Sequence, residues 1–155
     1  TELEDLLGSI DYQLLIYEDI NDPDRWASLE NIENFEFKGK WQWVNIFDRF
    51  GYPGYGQDGV LIVDEPETAG IGVHSIEIKN IKDIGIIDGR GVLSFQYGAL
   101  FKNNDDFSVY AVANGIRTRI FHTNQSVTQL EGVNINNIDI PHDTDSILFE
   151  YVQRD

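Results

Sequence analysis

The chain has 155 residues, 41% of them hydrophobic, and its 27 acidic against 11 basic side chains leave a formal net charge of −16. That length suits one domain with a core large enough to need no covalent staples, and the absence of cysteine excludes disulfides and thiolate metal sites. So negative a field repels nucleic acid and anionic membrane surfaces, which need clustered Lys and Arg, and no apolar run approaches the roughly 20 residues that span a bilayer.

The acids are scattered, with no block of five or more like charges. Such charge serves a solubilising surface, a set of Ca²⁺ ligands, or a decoy for a basic partner. No signal peptide is visible, and a start at Thr1 leaves room for a removed leader or a larger parent protein.

Residues 2 to 7 predict one helical turn, stopped by Gly8. Beyond them nearly every segment has period two. Tyr12, Leu14 and Ile16 alternate with Gln13, Leu15 and Tyr17, as in a strand covered on both faces. Asn21-Asp22-Pro23-Asp24 is a turn cluster.

Residues 35 to 59, "FEFKGKWQWVNIFDRFGYPGYGQDG", hold eight aromatic rings and two of the three tryptophans. Phe35, Phe37, Trp41 and Trp43 share parity, so the segment predicts one long strand or a tight hairpin about Gly39, with both tryptophans facing inward. The structural expectation is core packing; the alternative is a stacking platform for a ligand. Tyr52 and Tyr55 sit in a glycine-rich loop beside Gln57 and Asp58, a composition suited to contacting a sugar or a peptide.

Further along, Ile76 and Ile78 alternate with Glu77 and Lys79, and Leu93, Phe95 and Tyr97 oppose Val92, Ser94 and Gln96. Phe107, Val109, Ala111 and Ala113 form one strand face. Asn114-Gly115 between "DFSVYAVA" and "IRTRIF" predicts a two-residue hairpin, because both residues accept the positive φ of a type I′ turn. Ile147, Phe149 and Tyr151 line a last strand against Glu150. Short strands separated by turns about every 8 to 12 residues, with no sustained helical stripe, predict an all-β antiparallel β-sandwich over residues 1–155, with at most a short helical turn at the N-terminus or in a connection.

From Gly91 the sequence "GVLSFQYGALFKNNDDFSVYAVANGIRTRIFHTN", with the closing "SILFEYVQRD", resembles the jelly-roll modules of bacterial surface and secreted proteins. More distantly it resembles MAM-type and carbohydrate-binding sandwiches. The resemblance covers about 65 residues of packing and turn motifs; it implies a jelly-roll-like fold and carries no binding residue across.

No motif for nucleophilic, phosphate-loop or dinucleotide chemistry is present. His74, His122 and His142 lack the spacing that puts two metal ligands on one side, and read as ordinary surface or strand residues. The strand-borne Glu-x-Asp-x-x-Glu arrangement of sandwich-fold glycanases is missing too, so no catalytic residue is assigned. Asn124-Gln125-Ser126 matches the N-glycosylation acceptor pattern. Arg117 and Arg119 form the one local basic patch and are expected to pair with neighbouring acids.

Oxygen-rich turns give candidate ligands for a structural calcium ion: Asp19, Asn21, Asp22 and Asp24 first, then Asn103, Asn104, Asp105 and Asp106, with Asp143 and Asp145 a third cluster. The competing explanation is turn chemistry, since Asp and Asn bond their own backbone. The functional expectation is a non-catalytic binding or adhesion module, extracellular or on a cell surface, with a glycan or protein ligand met by Tyr52, Tyr55, Gln57, Asp58, Trp41 and Trp43. The alternatives are a structural component of a virion or appendage and an acidic inhibitor of a basic partner.

Overall fold

The computed structural model describes residues 16, 18, 20–50, 59–63, 72–84, 91–99, 101, 105–127 and 132–153. Among them are nine strands: β1 (Phe35–Lys38), β2 (Gln42–Asn45), β3 (Gly59–Ile62), β4 (Gly72–Ile78), β5 (Gly91–Tyr97), β6 (Asp106–Ala113), β7 (Ile116–Thr123), β8 (Val133–Ile140) and β9 (Ser146–Gln153). Helix is confined to single turns in connections, α1 (Pro23–Trp26), α2 (Ile46–Phe50) and α3 (Ile81–Ile84), with a 3₁₀ turn at Leu29–Asn31. The fold is therefore all-β, and every strand pairing is antiparallel. The strand and helical turn expected before Ile16 lie outside the described residues.

Five strands make the main sheet, in the order β1-β4-β9-β6-β7, while β2-β3 and β5-β8 are two-stranded ribbons. Period two decides which side chains turn inward. Val109 stands opposite both Phe149 and Phe121, and Ala111 opposite Ile147 and Thr118. The β5-β8 ribbon covers this apolar face with Leu93, Phe95 and Ile140. Phe95 meets the rings of Phe121 and Phe149 edge-on, each at 5.5 Å. Such pairs add about 0.5–1.5 kcal/mol beyond the area they bury. The arrangement is two layers around one apolar seam, as a sandwich requires.

Two irregularities break the period. The β6-β7 register shifts between Val109 and Tyr110 of β6, where β7 carries an extra residue, so Ile120 and Phe121 together oppose Val109 and both reach the core. In β8 the shift falls opposite Ser94: Asn137 takes φ 59° and donates its N–H to the Ser94 hydroxyl at 3.1 Å. The apolar positions of β8 are thus odd before the bulge (Val133, Ile135) and even after it (Ile138, Ile140).

The aromatic segment departs from both expected forms. β1 pairs with β4 in the main sheet, whereas β2 pairs with β3 in its own ribbon. Gly39, at φ 98°, turns the chain from one sheet to the other. Phe35 and Phe37 stack on each other at 6.0 Å, and Trp26 meets Phe35 edge-on at 5.9 Å. Trp26 is 1% exposed and is the buried tryptophan; Trp41 and Trp43 are only half-buried, so they are not the core rings that shared parity predicts. His74 is a strand residue, one of the two forms expected of it, and its place in β4 is interior: it is 1% exposed and stacks on Tyr151 at 5.6 Å.

The Asn114-Gly115 turn forms as expected, with φ 51° and 77°, and leaves Ala113 opposite Ile116.

Candidate functional site

Most of the expected contact loop, Tyr52, Tyr55, Gln57 and Asp58, lies outside the described residues. The two tryptophans expected beside it do different things. Trp43 donates its indole N–H to the Ile20 carbonyl at 2.7 Å, and Gly59 passes so close beneath its ring that a Cβ there would overlap it. Trp41 keeps part of its ring at the surface while its indole nitrogen is buried without a hydrogen-bond partner.

Of the first oxygen cluster, Asp19 lies outside the described residues. Asn21 Oδ1 accepts the Gly59 N–H at 2.9 Å, and Asp22 Oδ1 accepts the Asp24 N–H at 3.0 Å as the N-cap of α1. Asp22 thus holds the local turn, while Asn21 ties that turn to the start of β3. Of the second cluster, Asn103 and Asn104 lie outside the described residues, and the other two carboxylates diverge. Asp105, buried at 2% exposure, accepts the Tyr151 hydroxyl at 3.1 Å, while Asp106 pairs with His122 at 3.1 Å. In the third, Asp145 takes the Asn114 N–H at 2.8 Å and the Lys82 ammonium at 2.9 Å. Among the described residues no group of three or more His, Asp or Glu is placed to hold a metal ion.

What the fold brings together is a polar set on the face of the main sheet turned away from the β5-β8 ribbon. Asp106, Ser108 and Tyr110 alternate along β6 with the inward residues, so all three lie on the opposite face, where Ser108 is itself buried at 3% exposure. Their register partners follow: His122 and Glu150 flank Ser108, and Arg119 stands opposite Tyr110. Arg117, one pair further on, reaches back across the strands. Its guanidinium lies 5.7 Å from the Tyr110 ring centre and 3.4 Å from Glu150. Arg119 lies 5.8 Å from the same ring and donates to the Tyr110 hydroxyl at 3.4 Å. The tyrosine is framed by two guanidiniums, each in cation–π range.

Electrostatics follow from those contacts. The Tyr110 hydroxyl accepting from Arg119 holds that guanidinium more firmly charged than usual, with the negative fields of Asp106 and Glu150 behind it. Arg119 therefore finds a neutral hydroxyl where an acid was expected, whereas Arg117 does find its acid, Glu150. In a chain of net charge −16, this is a face on which cations and an aromatic ring are presented together. The basic alternation of "IRTRIFH" signals the cations. The framing of Tyr110 is not legible there, because it depends on the register between two strands.

A second concavity of about 420 Å³ lies at the end of the sheet beside the β6-β7 tip, lined by Glu77, Lys79, Lys82, Asp145 and Ser146 among others. Its charges are largely matched internally: Lys79 with Glu36, Lys82 with Asp145, and Ser146 donating to Glu77 at 2.6 Å. Glu36 is held below the ordinary carboxylate range by its bond to Lys79, which is raised in turn. A ligand at either place would compete with existing pairs, since Arg117 holds Glu150 and His122 holds Asp106 beside Tyr110; what sets the Tyr110 face apart is two guanidiniums flanking one ring.

No protein-family model, curated protein or solved structure matches the chain.

Proposed function

We propose that the chain is a non-catalytic binding module, extracellular or on a cell surface, whose glycan or protein ligand is anionic and is met at the outer face of β6, β7 and β9. The observation that carries this is Tyr110 framed by Arg117 and Arg119. A tyrosine ring supports the flat face of a sugar or a peptide plane, and a guanidinium fork matches a carboxylate or sulfate with two parallel bonds. His122 adds short-range polarity at the same face, beside the buried Ser108. The expected platform at Trp41, Trp43, Tyr52 and Tyr55 becomes a second contact region of the same module, and jelly-roll connectivity belongs to the proposal as well.

The test is an array of neutral, uronate-bearing and sulfated glycans together with acidic and basic peptides, followed by titration of each hit. Tyr110→Ala and Arg119→Gln are expected to weaken binding at least about tenfold, equivalent to about 1.4 kcal/mol, with melting unchanged. Binding indifferent to both substitutions, or absent from every acidic probe, sinks the proposal. A structural calcium ion at the Asn21–Asp24 turn is the remaining part of it. A midpoint raised by Ca²⁺ beyond what Mg²⁺ gives at matched ionic strength supports the ion, and coincident melts in Ca²⁺, Mg²⁺ and EDTA remove it.

A further inference from the structure

Among the described residues the main sheet ends at β7, and the side chains in the first half of that strand are exposed. Ile116 is 70% exposed, the Arg117 side chain 55%, and Thr118 and Arg119 are exposed as well. Among the described residues β7 pairs with β6 alone. The two-residue turn makes Ala113 and Ile116 the first hydrogen-bonded pair of the hairpin. Alternation then turns the main-chain N–H and C=O of Ile116 and Thr118 toward β6, and those of Arg117 and Arg119 toward the open edge. The two residues with outward main-chain groups are thus also the two that carry cationic side chains.

We propose that this edge takes an extended acidic segment of a partner protein as an added strand, main chain to main chain, with carboxylates seated on Arg117 and Arg119. The inference deepens the binding-module proposal and rests on it. Charge selects the occupant. A second β7 would set arginine beside arginine, a like-charge pairing that destabilises a sheet, and edge cations commonly serve to prevent such pairing. An acidic strand meets the opposite condition: each carboxylate lies on the same face as a guanidinium, whose other side is held by the Tyr110 ring one strand further in. On the other face Ile116 and Thr118 present an exposed methyl-bearing surface, so alternate residues of the partner should be apolar. The recognised pattern is acidic and apolar in alternation, read by added-strand pairing.

The probe is a short capped peptide of alternating valine and glutamate, added to the full chain while amide exchange is followed residue by residue. Binding is expected to slow exchange of the Arg117 and Arg119 amides at least about tenfold, while the Ile116 and Thr118 amides, already bonded to β6, change little. A lysine-for-glutamate peptide and an N-methylated glutamate peptide should both fail to protect them. In Arg117→Glu/Arg119→Glu the preference should invert toward the lysine peptide, and Arg117→Gln/Arg119→Gln, whose melt checks the fold, should bind neither well. Equal binding of the N-methylated peptide, with the edge amides unprotected, overturns strand addition and leaves the Tyr110 face standing. No binding of any acidic probe overturns both. Self-association that protects the same amides assigns the edge to a second copy and overturns the acidic partner.

Discussion

Gly39 lies against His74 so closely that a Cβ on Gly39 would overlap the imidazole Nδ1 and stand 2.8 Å from Cγ and 2.9 Å from Cα. The next residue closes the contact: Lys40 N–H donates to Nδ1 of His74 at 3.0 Å. Nδ1 is therefore the unprotonated nitrogen, and the ring is the neutral tautomer carrying its proton on Nε2. A turn between two sheets is locked onto a buried ring of the neighbouring strand.

Gly39→Ala should accordingly be costly. It meets a left-handed φ, a strain of about 1–3 kcal/mol, and adds a clash with backbone as well as side chain. Gly115→Ala is the internal control, since its φ is also positive but nothing lies within 4 Å of an added Cβ. Urea denaturation should place Gly39→Ala well below Gly115→Ala; equal losses would mean that the His74 contact contributes nothing.

The tryptophans should rank by burial and not by strand parity. Trp26→Ala removes a fully buried indole packed on Phe35 and should cost about 3–5 kcal/mol. Trp41→Ala, half-buried, should cost less than half of that. If chemical denaturation gives the reverse order, Trp26 is not the anchor of this corner.

Tyr151 sets an alkaline limit. Burial, then the charge of Asp105 and the bond to it, push its hydroxyl from 10.0 up to about 12. The stabilising effect of a raised value is complete below the unfolded pKa and is lost as pH rises from 10 through about 12. Tyr151→Phe should flatten that limb and cost about 1 kcal/mol at neutral pH. An unchanged alkaline limb in this variant would show that another group produces it.

Asp145 sets an acid limit at the β6-β7 tip. The Asn114 N–H, and after it Lys82, hold its carboxyl below the ordinary 3.8. A lowered value stabilises above the unfolded pKa, and the effect disappears as pH falls through the folded one. The Asn114 amide resonance should report this directly, titrating with a midpoint under 3.8 in the wild type and losing the transition in Asp145→Asn. A midpoint at or above 3.8 would refute the pairing.

Much of the strand content follows from local chemistry. Alternation in "DFSVYAVA" and "SILFEYV" and the Asn114-Gly115 turn are statements about neighbouring residues, and β6, β7 and β9 form where those residues lie. β8 hides because Asn137 inserts a bulge: a period-two test fails on "VNINNIDI" although the apolar side chains of both halves are partly buried. β3, four residues of "GVLI", is too short for any period to show.

The all-β class, the acidity, the lack of cysteine and the main hairpin are readable along the chain, because those properties depend on composition or on residues a few positions apart. Which tryptophan is buried, how deep His74 lies and the place of Tyr110 between Arg117 and Arg119 emerge with the folded arrangement. Each of these depends on strand register and on which sheet a strand joins. Parity along "FEFKGKWQW" holds only while the chain stays in one sheet, and Gly39 ends that condition. The physical reason is range: side-chain alternation is fixed by the local backbone, whereas burial and pairing are fixed by partners brought from distant positions in the chain.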